Sequence, residues 1–231
     1  MPHATLRHSL RRSLTIAVLT LPLLGLTVRP AAAQDVDSIY RFGLTQLEEG
    51  DIENAINTFR KVLELNPGYA LAHSSLGYIY LQRENDTLAL ASFERALDLD
   101  SRLAAAHNGR GMVLAKDPQR RREALTSFDR ALELEPEYLQ ALYNLGTTRA
   151  DMDDERGARE AFEAILDIEA DFSDVHYRLG LLAIAAEDLA TAEDQFRAQY
   201  RLAPNHRENR LELGRVYFLS ERYSEAENML L

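Results

Sequence analysis

Residues 72–80 read AHSSLGYIY, and close relatives of that phrase return as AHNGRGMVL at 106–114, ALYNLGTTR at 141–149 and VHYRLGLLA at 175–183. The glycine that anchors the phrase stands at Gly43, Gly77, Gly111, Gly146, Gly180 and Gly214, in steps of 34 residues with a single step of 35. A second marker keeps the same step: Ala55, Ala89, Ala124, Ala158, Ala192 and Ala226, with Phe59, Phe93, Phe128, Phe162 and Phe196 four residues after the first five alanines. The extra residue falls between Gly111 and Ala124, within KDPQRRR (116–122), where Pro118 marks a turn that absorbs an insertion.

Inside each unit the apolar residues recur at helical spacing, most cleanly at Leu76, Tyr80, Ala89, Phe93, Ala96 and Leu97. Two helices of roughly 14 residues joined by a short polar turn, such as EGDIE (49–53) or RENDT (83–87), fill one period. The recurrent glycine and alanine let facing helix axes approach while phenylalanine fills the space beside them. Pro67, Pro136 and Pro204 lie where a second helix must stop, because proline lacks the amide proton that would continue it. A lone hairpin of this size cannot bury its apolar face, so each unit needs neighbours.

These residues resemble the tetratricopeptide repeat, whose pattern runs apolar or aromatic, Leu-Gly, Tyr, then Ala, Phe, Ala and Pro. The second unit supplies Leu76, Gly77, Tyr80, Ala89, Phe93 and Ala96, with Ser101 in the proline place. The fourth supplies Leu142, Leu145, Gly146, Ala158 and Phe162, with Arg149 for Tyr and Ala170 for Pro. The resemblance runs from Val36 to Leu231. It implies an all-α solenoid, a right-handed superhelix with a concave groove lined by first helices. The expected units are 36–69, 70–103, 104–138, 139–172, 173–206 and a short sixth at 207–231, following a leader at 1–33.

That leader differs in kind from the rest: three arginines and no acid in residues 1–12, an apolar run from Leu14 to Val28, then AAA before Gln34. This is the layout of a secretory signal peptide with cleavage near Ala33, and it points to the periplasm. An uncleaved anchor is the alternative, but about 15 apolar residues interrupted by Pro22 and Gly25 are short for a span. Arg11 and Arg12 leave Sec and twin-arginine export both open. The net charge of −11 becomes −15 once the leader's four arginines are gone, which disfavours nucleic acid and anionic membranes as partners. With no cysteine, neither disulfides nor thiol chemistry arise.

Candidate chemistry is sparse. His73, His107 and His176 occupy one place in the repeat, but equivalent places in adjacent hairpins lie about 10 Å apart, whereas zinc needs its imidazoles within about 2 Å of one ion. A structural role is the better reading. DMDDERG (151–157) alternates oxygens like a calcium loop yet lacks the glycine placement and the distant glutamate. No nucleophile elbow or phosphate-binding glycine loop occurs, so no catalytic residue, metal or cofactor is expected.

In the family, residues one place after the His or aromatic site and one place after the glycine tend to face the groove. Here these are Tyr40, Ser74, Asn108, Tyr143, Tyr177 and Leu211, then Leu44, Tyr78, Met112, Thr147, Leu181 and Arg215. Such an amphipathic lining suits a bound peptide, while packing of the tyrosines between units is the competing reading. Only Asn108 and Arg215 resemble the lysine, asparagine and arginine side chains by which relatives clamp a C-terminal carboxylate. At the other end, Tyr223, Ala226 and Leu230 are expected to form an open edge that docks a partner or a second copy. The expected function is a non-enzymatic, exported adaptor that binds a protein or peptide. The alternatives are a structural subunit of an envelope assembly working through convex or terminal surfaces, and the N-terminal part of a longer enzyme.

Overall fold

The computed structural model describes residues 31–230, and across them helix follows helix in antiparallel pairs. α1 (Ala31–Glu48) pairs with α2 (Ile52–Leu65), α3 (Ala70–Gln82) with α4 (Asp86–Leu99), and α5 (Ala104–Ala115) with α6 (Arg121–Leu134). α7 (Leu139–Ala150) pairs with α8 (Glu155–Ile168), α9 (Ser173–Ala185) with α10 (Leu189–Leu202), and α11 (Arg207–Leu219) with α12 (Tyr223–Leu230). Each helix packs on the next along the chain, and α5 also meets α3 and α7, the first helices on either side of it. The chain is therefore an α-solenoid of hairpins, without a strand among the described residues. No described helix is long and apolar enough to cross a membrane. The expected leader lies, up to residue 30, outside the described residues.

The period has a direct packing cause. Phe59, Phe93, Phe128, Phe162 and Phe196 are all fully buried, each with its ring against the glycine of its own hairpin. A Cβ added at Gly43, Gly77, Gly111, Gly146 or Gly180 would come within 2.4–2.7 Å of that ring, which no real side chain tolerates. Neighbouring hairpins then join through a second repeated pair, ten residues apart in sequence: Val62 with Ala72, Ala96 with Ala106, Ala131 with Ala141, and Ile165 with Val175, all with no exposed surface. The fifth joint breaks this pattern, carrying Gln199 and Asn209, equally buried. Asn209 donates its side-chain amide to the Phe196 carbonyl at 2.9 Å, but Gln199 Oε1 and Asn209 Oδ1 have no partner.

Local chemistry sets the turns. Gly50, Glu84, Asp153, Glu187 and Glu221 each end a first helix at φ between 57° and 79°, a left-handed backbone that glycine accepts freely and the acids do not. Directly after four of them, Asp51, Asn85, Asp154 and Asp188 cap the second helix by accepting a backbone N–H. The third hairpin, which holds the extra residue, instead makes a 3-10 turn at Pro118–Arg120. α2, α6 and α10 end two residues before Pro67, Pro136 and Pro204.

The three histidines serve this architecture. Nε2 of His73, His107 and His176 lies 3.2, 3.0 and 3.3 Å from the carbonyls of Pro67, Ser101 and Ala170. A carbonyl only accepts, so each ring donates and ties its helix to the linker six residues upstream. Among the described residues no three His, Asp or Glu converge on a metal-sized site.

In the sixth hairpin, Ala226 departs from the open-edge expectation. It is 5% exposed, packed with Ala192, Leu213, Val216 and Tyr217, because α12 folds back on α11 as in the other hairpins. Tyr223 is exposed and meets Phe218 edge-on, with centroids 5.5 Å apart. The side chain of Leu230 lies outside the described residues.

Candidate partner-binding site

Of the twelve expected groove residues, Ser74 and Asn108 are buried, Leu211 and Arg215 exposed, and the other eight half-buried. The tyrosines among them share one habit. Each rests on the buried phenylalanine of its own hairpin: Tyr40 on Phe59 at 5.5 Å between centroids, Tyr78 on Phe93 at 4.9 Å, Tyr143 on Phe162 at 5.9 Å and Tyr177 on Phe196 at 6.0 Å. Tyr40 and Tyr177 are further covered by Tyr69 and His206. Leu44 and Leu181 pack against the first and last core clusters, and the Thr147 hydroxyl is buried without a partner. Arg215 pairs with Glu212 at 3.5 Å.

Among the first five hairpins the third differs because its two groove positions are Asn108 and Met112, neither of them a ring. Where its neighbours present a tyrosine, it leaves a recess of about 420 Å³. Tyr78, Asn108, Met112 and Tyr143 line it, so four of the twelve expected residues meet in one place while the other eight do not. Tyr138, Gln140, Asn144, Phe172 and Asp174 complete the wall. Two of these five could have been found from the period: Tyr69, Tyr138 and Phe172 all stand immediately before a first helix. Gln140, Asn144 and Asp174 carry no repeating signal.

The recess is held by a hydrogen-bond chain across three hairpins. Tyr78 Oη donates to the Ala105 carbonyl at 2.5 Å and accepts from Asn108 Nδ2 at 3.4 Å, while Asn144 Nδ2 donates to Asn108 Oδ1 at 2.9 Å. Tyr143 Oη donates to Asp174 Oδ2 and accepts from Arg178 Nε at 2.9 Å. The Arg178 guanidinium lies 5.6 Å from the Tyr143 ring centroid and 3.7 Å from Asp174. Burial raises the pKa of Tyr78 well above that of a free phenol and raises that of Tyr143, helped there by the bond to Asp174. Both phenols therefore stay neutral hydroxyls near pH 7. Rigid rings, amides fixed by bonding and one carboxylate can bind and orient a side chain; no nucleophile and base are paired here.

The tetratricopeptide repeat pattern matches residues 40–104, 114–174 and 177–230. The type IV pilus assembly protein PilF of Pseudomonas aeruginosa is 33% identical over 129 residues, a match covering 54% of this chain and 50% of PilF. The chain thus spans about half the length of that relative. A solved structure of P. aeruginosa PilF superposes with a TM-score of 0.77 at 25% identity, covering 86% of this chain and 90% of that one. PilW, a widely conserved type IV pilus biogenesis factor, has the same fold, with a TM-score of 0.76 at 20% identity over 85% of this chain and 90% of its own. YrrB, a repeat protein with an unusual peptide-binding site, shares it at a TM-score of 0.60 and 22% identity, over 76% of this chain and 94% of its own.

Proposed function

The chain belongs to the tetratricopeptide repeat family, and from that footing we propose that it is a non-catalytic scaffold of the cell envelope, serving type IV pilus assembly by holding a segment of a partner protein in the Tyr78–Tyr143 recess. The observation that carries the binding role is the recess itself, where the tyrosine lining is interrupted by Asn108 and Met112 and four successive hairpins contribute to one walled space. A ring-lined cavity of this size takes one or two side chains of an extended peptide. The pilus role rests on the likeness to PilF in sequence and fold. Export to the periplasm rests on the arginine-led, apolar leader of residues 1–33, which agrees with an envelope role.

The test is capture from the host's own envelope fraction. Tyr143→Ala and Asn144→Ala, with the thermal melt preserved, are expected to lose a partner that the unaltered chain retains. Equal capture by both would refute the binding role. Gene disruption that left surface pili unchanged would refute the pilus assignment separately. A second reading, assembly through the terminal hairpin, is favoured by the exposure of Phe218, Leu219 and Tyr223. Light scattering after size exclusion tests it: a stable monomer across the accessible concentration range counts against it.

A further inference from the structure

We propose that the recess selects a positively charged side chain, an arginine or lysine projecting from the partner segment; this rests on the binding role proposed above and specifies its chemistry. The argument is an inventory of donors and acceptors. The hydroxyl proton of Tyr78 is given to the Ala105 carbonyl and that of Tyr143 to Asp174. The Asn108 amide points at Tyr78 Oη and, at 3.6 Å, Met112 Sδ, and the Asn144 amide donates to Asn108. The donors of Tyr78, Tyr143, Asn108 and Asn144 are thus directed at protein acceptors, whereas the Tyr138 hydroxyl and the exposed Gln140 amide can donate as well as accept. Acceptor capacity outweighs this: Asn144 Oδ1, the remaining lone pairs of Asp174, and the faces of Tyr78, Tyr138, Tyr143 and Phe172. No lysine or arginine lines the recess.

Acceptors, ring faces and the Asp174 carboxylate are complementary to a group that only donates and carries positive charge. The apolar walls suit the aliphatic stem of such a side chain, and the head reaches the carboxylate at the end. Arg178 already sets a guanidinium beside the Tyr143 ring and Asp174, so the wall accepts this chemistry in the folded protein itself. Asp174 accepts from Tyr143, with Arg178 at 3.7 Å and His206 at 3.8 Å, and the roughly four lone-pair sites of a carboxylate leave room for a further donor. The chain's net charge of −11 adds a long-range attraction for a basic segment and repels an acidic one.

The experiment titrates the chain with acetylated, amidated pentapeptides Ala-Ala-Xaa-Ala-Ala, where Xaa is Arg, Lys, Leu, Phe or Glu, following the side-chain amide resonances of Asn108 and Asn144. The Arg and Lys peptides are expected to shift both, to bind at least about fivefold more tightly than Leu or Phe, and to weaken with added salt. Asp174→Asn is expected to lower the Arg peptide's affinity by about tenfold. Should that variant unfold, the salt dependence with the unaltered chain decides. Tighter binding of Leu or Phe at the same resonances would overturn the charge selection while leaving the recess a binding site. If no peptide shifts either amide, the proposal falls, and partner capture by Tyr143→Ala then reports independently on the recess.

Discussion

Replacing Gln199 with Ile and Asn209 with Val should stabilise the sixth hairpin. These residues stand where the four preceding joints carry Val62/Ala72, Ala96/Ala106, Ala131/Ala141 and Ile165/Val175, and the new pair copies the last of these. Each unpartnered buried carbonyl, Gln199 Oε1 and Asn209 Oδ1, costs about 1–3 kcal/mol, and removing both relieves that penalty. Against this stands the loss of the Asn209 bond to Phe196, worth about 1 kcal/mol. The net expectation is a gain of about 1–3 kcal/mol after allowance for imperfect packing of the new methyls. In a solenoid, stability is local, so the assay must be local too. Native-state hydrogen exchange should find α11 less protected than α3, α5, α7 or α9, and the double variant should slow its exchange by about 5- to 160-fold, with little change in α3 or α5. Faster exchange in the double variant would show that the two oxygens are satisfied by a bound water or by each other's amides, and would refute the reasoning.

Gly146→Ala should destabilise by about 1–2 kcal/mol, since its Cβ would stand 2.7 Å from the buried Phe162 ring and the helix-propensity gain of alanine offsets only part of the strain; Phe162→Leu in the same chain should recover part of that loss in a thermal melt. Glu187→Gly should stabilise by about 0.5–1 kcal/mol in urea, because it relieves a left-handed residue at φ 58° in a turn where Gly50 already serves. Burial lowers the pKa of His73 and His107 below the free value, so below about pH 6.5 the unfolded chain binds more protons and stability falls as pH drops through that window. Replacing both with Gln, which keeps a side-chain donor, should flatten the slope in melts between pH 7 and 5.

The fold was legible because its cause repeats. Glycine, alanine and phenylalanine mark the same contact five times, so a spacing of 34 was enough to place hairpins, turns and the tolerated insertion. The histidine positions were readable as structural, but not the carbonyls they bind, since backbone acceptors leave no trace in side-chain identity. The recess was only partly legible for the opposite reason. Mapping groove positions treats every unit alike, whereas the cavity exists because an interior unit departs: Asn108 and Met112 withhold the ring that Tyr78 and Tyr143 supply on either side. Gln140, Asn144 and Asp174 join it through superhelical geometry, which a linear period does not encode. Ala226 was misplaced because its burial depends on how α12 closes on α11, a contact within the hairpin rather than beyond it.

The 3-10 turn at Pro118–Arg120 has a wider meaning for how such a chain tolerates change. The added residue is spent entirely within the loop: Phe128 still lies under Gly111, and Ala131 still meets Ala141 at the next joint. The tip still meets its neighbours through surface bonds, Lys116 to Asp86 and Arg121 to Asp151, yet its added length propagates no phase error into the buried joints. A sensor, tag or extra contact grafted between α5 and α6 would ride on the scaffold as a passenger, leaving the spacing of Tyr78, Asn108 and Tyr143 untouched.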